Sequence, residues 1–295
     1  MCGVAGIADF GGRPVEGETV RAMARALAHR GPDGEGLWVD SRGRAALGHR
    51  RLAVRDVTAA GAQPMTDASG RITISFNGEI YNDAALRREL EREHGVAFRS
   101  RCDAEVVPAG FLAWGEHVFD RLEGMFAIAL WDAGEGRLWL ARDGVGVKPL
   151  FVAQDGHRVR FASEVKGLLA DPAQAFRLSA PGLHAWLAQG YVSPEATLLE
   201  GVGQLPPGTV RRIDAGGVRD RRFWRPERRP EIRTLPEALD AFGTVWPAVL
   251  SDLLVSDVPI GVLQSGGIDS SLVTFSLRDR PGLPVFTAQF DEETH

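Results

Sequence analysis

MFAIALWDAGEGRLWLARD, residues 125–143, decides the fold class. Two apolar runs flank AGEG, a turn sequence, so two strands joined back to back are predicted. MFAIAL is apolar at consecutive rather than alternate positions, which predicts a strand covered on both faces. PLFVAQ, DG and RVRFAS (149–163) repeat the pattern, and the four strands together read as a meander.

Upstream, VAGIADF reads as a strand ending at a GG turn. GETVRAMARALAHR (17–30) carries apolar residues at helical spacing and stops at GP. ITISF (72–76) is a strand running into NGE, with Asn77 and Gly78 read as a tight turn. DAALRRELEREHG (83–95) is a helix closed by glycine, and EVVPAGFLAW (105–114) a second, with Pro108 against it. Downstream, TVRRID-AGG-VRDRRFW (209–224) is a closing hairpin. The Arg-rich RRFWRPERRPEIR (221–233) reads as a solvated linker face. A helical pattern resumes at Leu235, interrupted by Pro247. PIGVLQ, SGGIDS, SLVTFSL and PVFTAQF then give strand, loop, helix and strand, a βαβ unit with a parallel sheet.

Over 295 residues the chain is 44% hydrophobic and 25% charged, in the range of globular proteins, with a net charge of -5. Nothing in that balance points to nucleic acid or an anionic membrane. No apolar run approaches the ~18 residues of a membrane span, and the first residues lack a basic and apolar leader. Two cysteines make no disulfide framework, so a reducing cytoplasm is the expected setting.

One of those cysteines is the second residue, in MCGVAGIADF. Chance, a disulfide end, a metal ligand and a terminal nucleophile are the open readings. No CxxC or HExxH accompanies it, and the seven histidines are scattered, so no metal set is predicted. At the other end, SGGIDSS lies between a strand and a helix. Glycines there let backbone approach a phosphate, amides at the helix start point at an anion, and Asp269 is placed to help a magnesium ion. The GxxxxGK[ST] pattern is absent, so this is no Walker A loop.

SDVPIGVLQSGGIDSS (256–271) resembles the pyrophosphate loop of the glutamine-hydrolysing asparagine synthetases. HRGPDGEG, GHRRLAV, FNGEIYN, LEGMFAIALWD, ARDGVGVKPLF, FASEVKGLL and LPPGTV resemble that family's N-terminal glutaminase domain, in its usual order. The resemblance implies an α+β chain. Residues 2–225 would be a class II glutamine amidotransferase, an N-terminal nucleophile hydrolase with an αββα sandwich. Residues 226–234 would be a linker, and 235–295 the start of an α/β synthetase domain of the adenine-nucleotide alpha-hydrolase type. It implies glutamine hydrolysis to glutamate and ammonia, then amidation of an ATP-activated aspartate to asparagine, AMP and pyrophosphate. Glutamine, ATP and aspartate or a related carboxylate are the implied partners. ATP and Mg2+ serve the synthetase half and no cofactor the glutaminase half. Family members often dimerise, so a homodimer is expected.

The same resemblance assigns Cys2 as nucleophile after removal of Met1, and Asn77 and Gly78 as the oxyanion hole. It gives glutamine to Arg51, Leu52, Val54, Glu79 and Asp103. It gives nucleotide to Gln264, Ser265, Gly266, Gly267, Asp269, Ser270, Ser271 and Ala288. The chemistry is self-consistent: an α-amine of pKa ~7.7–8.0 is matched to take a thiol proton near neutral pH, without histidine. Arg51 has the fork for an α-carboxylate and Asp103 the charge for an α-ammonium.

Several positions depart from the family. Arg55 stands where an aliphatic residue is usual, Cys102 directly precedes Asp103, Gln264 replaces a leucine, and ARDGVGVKPLF differs at a glycine and a valine. The family's second domain also extends well past this loop, so the chain is expected to hydrolyse glutamine without completing synthesis. Two rivals are kept: a relative amidating a sugar acid or peptide carboxylate, and a non-catalytic nucleotide- or partner-binding relative.

Overall fold

The computed structural model describes residues 1–193, 195–228 and 231–289. Strand β1 (Gly3–Asp9) leads into helix α1 (Gly17–Arg25) and a separate 3-10 turn, Ala28–Arg30. The single helix expected over 17–30 is thus split, because fully buried Leu27 leaves helical geometry at φ -100° and ψ 12°. Strands β2 (Gly34–Val39) and β3 (Ala45–Arg51) follow, then β4 (Met65–Thr66) and β5 (Ile72–Ile80).

Asn77 and Gly78 do not form the expected turn. β5 runs through them, and they sit opposite Ala127 and Phe126 of the next strand. Gly78 makes this close pairing feasible, since a Cβ there would lie 2.1 Å from the Met125 carbonyl oxygen.

Helices α2 (Asp83–His94), α3 (Val106–Trp114) and α4 (Val118–Arg121) come next. α2 closes on Gly95 at φ 64°, the left-handed position glycine fills at least cost. Pro108 is tolerated because it sits in the first turn of α3, where an N–H has no intrahelical partner. The chain continues through β6 (Gly124–Asp132), β7 (Arg137–Arg142), β8 (Phe151–Asp155), β9 (Arg158–Ala162), α5 (Val165–Leu169) and α6 (Ala180–Gln189). Strands β10 (Val202–Gln204), β11 (Thr209–Asp214) and β12 (Gly217–Arg222) follow, the last two pairing as the expected hairpin.

These strands make two six-stranded sheets, β10-β8-β9-β1-β3-β2 and β12-β11-β7-β6-β5-β4. The expected four-strand meander is therefore divided, with β6 and β7 in one sheet and β8 and β9 in the other. The crossing is fixed by Asp143, whose carboxylate accepts the amides of Phe126, Val147 and Lys148. Arg142 supports it from beneath, donating to the carbonyls of Gly146, Lys148 and Leu205.

Three apolar cores separate four layers. Ala127, Ala129 and Trp131 of β6 point into the core between the sheets, with Val4, Leu47 and Phe161. Phe126, Ile128 and Leu130 point the other way, into the core under α2, α3 and α4. The third core lies between β1 and α1, around Ile7, Val20, Met23 and Leu27. This is an αββα sandwich, and the unbroken apolar run of β6 is its central seam.

The chain divides into two units, Met1–Pro226 and Glu227–His295. In the second, α7 (Leu235–Leu253) starts at a capping box of Thr234 and Glu237. It runs through Pro247 rather than breaking there, because Trp246 and Leu250 pack on either side of the proline into a core with Val262 and Leu277. Strand β13 (Val262–Leu263), helix α8 (Ile268–Ser276) and strand β14 (Val285–Phe286) complete the βαβ unit, with β13 and β14 parallel. Both strands are shorter than expected, and Phe290 of the expected last strand lies outside the described residues.

Candidate active site

β1 lies between β3 and β9, so the residue before it sits at the end of a central strand. That residue is Cys2. Its sulfur accepts from the Leu52 amide at 3.4 Å and lies 3.6 Å from the Leu52 carbonyl oxygen. Its own carbonyl accepts from Arg30 Nε at 2.9 Å, and Arg30 Nη1 is held by Glu164 at 2.9 Å. Burial works against the Glu164 charge, but hydrogen bonds from Arg30, His29 and Lys166 outweigh it and hold the carboxyl at about 2.

A cavity of about 110 Å³ opens beside the thiol. All eight residues expected in the glutaminase site line it: Cys2, Arg51, Leu52, Val54, Asn77, Gly78, Glu79 and Asp103. Met1, Arg55, Gly61, Gln63, Phe76, Cys102 and Lys148 complete the wall. The volume holds several waters, so it suits a small polar molecule.

β5 supplies the floor. Asn77 is buried, and its Nδ2 has no hydrogen-bond partner. Such an orphan donor is costly and rare. The backbone around it is pinned: the Phe76 amide donates to Gln63 Oε1 at 2.7 Å, and His49 Nε2 meets the Phe76 carbonyl at 3.0 Å. Burial drops the His49 pKa to about 4 despite that bond, so the ring is neutral and Nε2 carries the donated proton.

Arg51 spends part of its fork on the loop after β3. Nη1 donates to Thr58 O at 2.8 Å, and Nη2 to the carbonyls of Arg55 and Asp56. Asp103 is buried and accepts the Ile80 amide at 2.8 Å. Burial lifts its carboxyl above the usual range, against the nearby Arg55 charge. Glu79 is lifted too, by burial first and then by Asp103. Lys148 is pushed down by burial, with Glu79 opposing. Burial also raises the Cys2 thiol and lowers the chain's terminal amine. Neither Arg30 nor Lys148 was singled out from the sequence, although both lie in quoted motifs, HRGPDGEG and ARDGVGVKPLF. His49 likewise lies in the quoted GHRRLAV without being singled out, and Gln63 had no local signal beyond its polarity.

In the second unit, the SGG loop leaves the carboxyl end of β13 and enters α8 with Gly267 as its N-cap. Gly266 has φ 84° and open space where a Cβ would point. The Ser265 amide donates to Ser270 Oγ at 3.2 Å, the two hydroxyls meet at 3.1 Å, and Ser270 Oγ donates to Gly267 O at 3.1 Å. Gln264 is tied by its amide to Phe286 O at 2.8 Å and by its carbonyl to Thr287 Oγ1 at 2.5 Å. Ser271 and Gln264 line a neighbouring cavity of about 500 Å³, which the other expected nucleotide residues do not line. Asp269 is exposed in the first turn of α8, and Ala288 is exposed two residues beyond β14. No cluster of three His, Cys, Asp or Glu side chains fit for a metal occurs among the described residues. No helix among them is long and apolar enough to cross a membrane.

Residues 1–224 match the family described as "Glutamine amidotransferase domain", and residues 248–295 match "Asparagine synthase". "Asparagine synthetase (glutamine-hydrolyzing) 3" of Bacillus subtilis (strain 168) is 34% identical over 302 residues, covering 99% of this chain and 48% of that protein. A protein of the same name from Arabidopsis thaliana is 34% identical over 280 residues, covering 92% and 42%. The chain thus spans about half the length of these curated relatives. Among solved structures, the B. subtilis glutamine phosphoribosylpyrophosphate amidotransferase complexed with ADP and GMP aligns over 97% of this chain and 65% of its own. Its TM-score is 0.56 at 18% identity, a likeness of fold. The chain belongs to the glutamine amidotransferase family, and within it to the proteins that join this domain to an asparagine synthase segment.

Proposed function

We propose that the Met1–Pro226 unit hydrolyses glutamine, with Cys2 as nucleophile once Met1 has been removed. The freed α-amine takes the thiol proton, and the thiolate attacks the side-chain amide carbon. The oxyanion forms against Asn77 Nδ2 and the Gly78 amide. The protonated amine returns its proton to the leaving nitrogen, and ammonia departs. Water then hydrolyses the thioester, which releases glutamate and restores the thiol. Arg51, with donors left over from its loop carbonyls, takes the substrate carboxylate. Asp103 and Glu79 take its ammonium, and Leu52 and Val54 complete the walls.

The observation that carries this reading is the buried Asn77 donor without an acceptor, in the same cavity as the thiol. A donor left unpaired in the folded protein is suited to a charge that exists only during reaction.

In the whole protein, ammonia would amidate an ATP-activated carboxylate. The asparagine synthase segment favours aspartate as the acceptor. Ser265, Gly266, Gly267, Ser270 and Ser271 form a donor-rich loop at a helix start, fit for the pyrophosphate of ATP. Gln264 would hold adenine through the second lone pair of its backbone carbonyl, its amide being committed to Phe286, with Ala288 at the same end of the parallel strands. Asp269 is the acidic group placed for the accompanying Mg2+. ATP supplies the leaving group that activates the carboxylate. A cytoplasmic setting and a homodimer complete the proposal.

The test is glutamate and ammonia release from glutamine by wild type and Cys2→Ala, with covalent trapping by a glutamine-like electrophile such as diazo-oxo-norleucine. Release and labelling are expected in wild type alone. Equal rates in the two proteins would remove Cys2 from the mechanism.

A further inference from the structure

Arg55 sits on the loop after β3 and lines the cavity. Its Nη2 donates to Asp83 Oδ1 at 2.9 Å, at the start of α2. Its Nη1 donates to the Ile80 carbonyl at 3.1 Å and lies 3.8 Å from Asp103 Oδ2. Asp103 Oδ2 in turn accepts the Ile80 amide at 2.8 Å. The guanidinium and the carboxylate therefore grip the two polar ends of one residue, Ile80, where β5 ends.

Two buried carboxylates, Asp83 and Asp103, meet at this place, and the Asp83 charge disfavours that of Asp103. Arg87 Nε reaches Asp83 at 3.5 Å but forms no ion pair with Asp103. Arg55 is the cation shared by both. Because its hydrogen bond goes to Asp83, it stands near Asp103 without occupying that carboxylate in a fork-to-fork pair. Asp103 Oδ1 accepts only the weak Cys102 thiol donor, at 3.7 Å, and so keeps a lone pair for another cation.

We propose that Arg55 is a positioning residue that sets the cavity's preference for substrates bearing an α-ammonium, by holding Asp103 charged and fixed against Ile80. This rests on the glutaminase reading above, in which Asp103 receives that ammonium. Arg55 itself touches no reacting atom. Its removal leaves the thiol, Asn77 and Arg51 in place, so the loss falls on recognition of the amino group.

Steady-state hydrolysis of glutamine and of glutaramate, which has the same amide and carboxylate but no amino group, tests the assignment. Wild type, Arg55→Met and Arg55→Lys are compared. In Arg55→Met, kcat/KM for glutamine should fall about tenfold more than for glutaramate, mostly through KM, as expected for a weakened charged hydrogen bond. Arg55→Lys should recover part of that difference by restoring the charge. Equal losses for the two substrates, or a lysine variant no better than methionine, would reduce Arg55 to a structural role. Wild type consuming neither substrate would instead remove the glutaminase reading, and the assignment with it.

Discussion

The sulfur of Cys2 and the backbone of Leu52 are in mutual hydrogen-bond contact, at 3.4 Å to the amide and 3.6 Å to the carbonyl oxygen. This contact ties the second residue of the chain to the loop that walls the cavity. Among the described residues, no imidazole or carboxylate is hydrogen-bonded to the thiol. A base must come from elsewhere, and burial makes the need greater by raising the thiol's pKa.

In the proposed mechanism the terminal amine of a processed chain is that base, which would make processing a condition of activity. Protein carrying a short uncleaved extension before Cys2 should fold normally but lose ~10²–10⁴ in glutaminase rate, the usual contribution of a positioned acid–base group. Intact mass gives the processing state and glutamate release the rate. A fully active extended protein would leave the amine without a role.

Asn77→Ala separates function from stability. Loss of an oxyanion donor should lower kcat by ~10²–10³. Stability should hold or rise, because the deleted Nδ2 is buried and unpaired in the free protein. Thermal melting beside kcat checks both. A large drop in melting temperature would mean that Asn77 is a structural residue.

Much of this was legible in the sequence, for reasons that differ by element. β6 announced itself because both of its faces are apolar, and a strand covered on both sides has no need of alternation. That Cys2, Arg51, Asn77 and Asp103 would share one cavity was legible through motif order alone, since they are far apart along the chain. β2 and β3 were missed because β3 passes from Ala45–Leu47 into Gly48, His49, Arg50 and Arg51, a polar end that breaks the apolar run. His49 is buried there only because the opposite sheet offers the Phe76 carbonyl. The Asn77–Gly78 turn was misread because a local signal for φ > 0 was trusted over pairing with β6. The split of the meander depends on Asp143 gathering three amides, a contact that hydrophobic period does not encode.

Asp103→Asn should weaken glutamine binding while stabilising the fold near neutral pH. The wild-type carboxyl is raised by burial, so its ionised form opposes folding above the raised pKa, and that cost fades as pH falls through it. Asparagine keeps an oxygen for the Ile80 amide and removes the charge. KM for glutamine should rise ~10-fold or more, in line with 1.5–3 kcal/mol for a charged hydrogen bond, and the denaturation midpoint should rise at pH 7. Unchanged KM would take the ammonium away from Asp103.

His49 gives the protein an acid-sensitive joint between its sheets. Its folded pKa of about 4 lies below the ordinary imidazole value of 6.5, chiefly because the ring is fully buried. A base whose pKa is depressed on folding contributes full stability above its unfolded pKa, and that contribution is lost as pH falls towards the folded value. The window is therefore pH 6.5 down to about 4. A shift of this size corresponds to roughly 3 kcal/mol. Protonation would put a charge between the sheets beside Phe76, one residue from Asn77, the proposed oxyanion donor. Urea midpoints of wild type and His49→Gln, measured at pH 7 and pH 4.5, isolate the effect from the carboxylates that titrate in both proteins. Wild type should lose ~2–3 kcal/mol more than the variant over that interval. The same pH slope in both would show that the imidazole is not the group that loosens the joint.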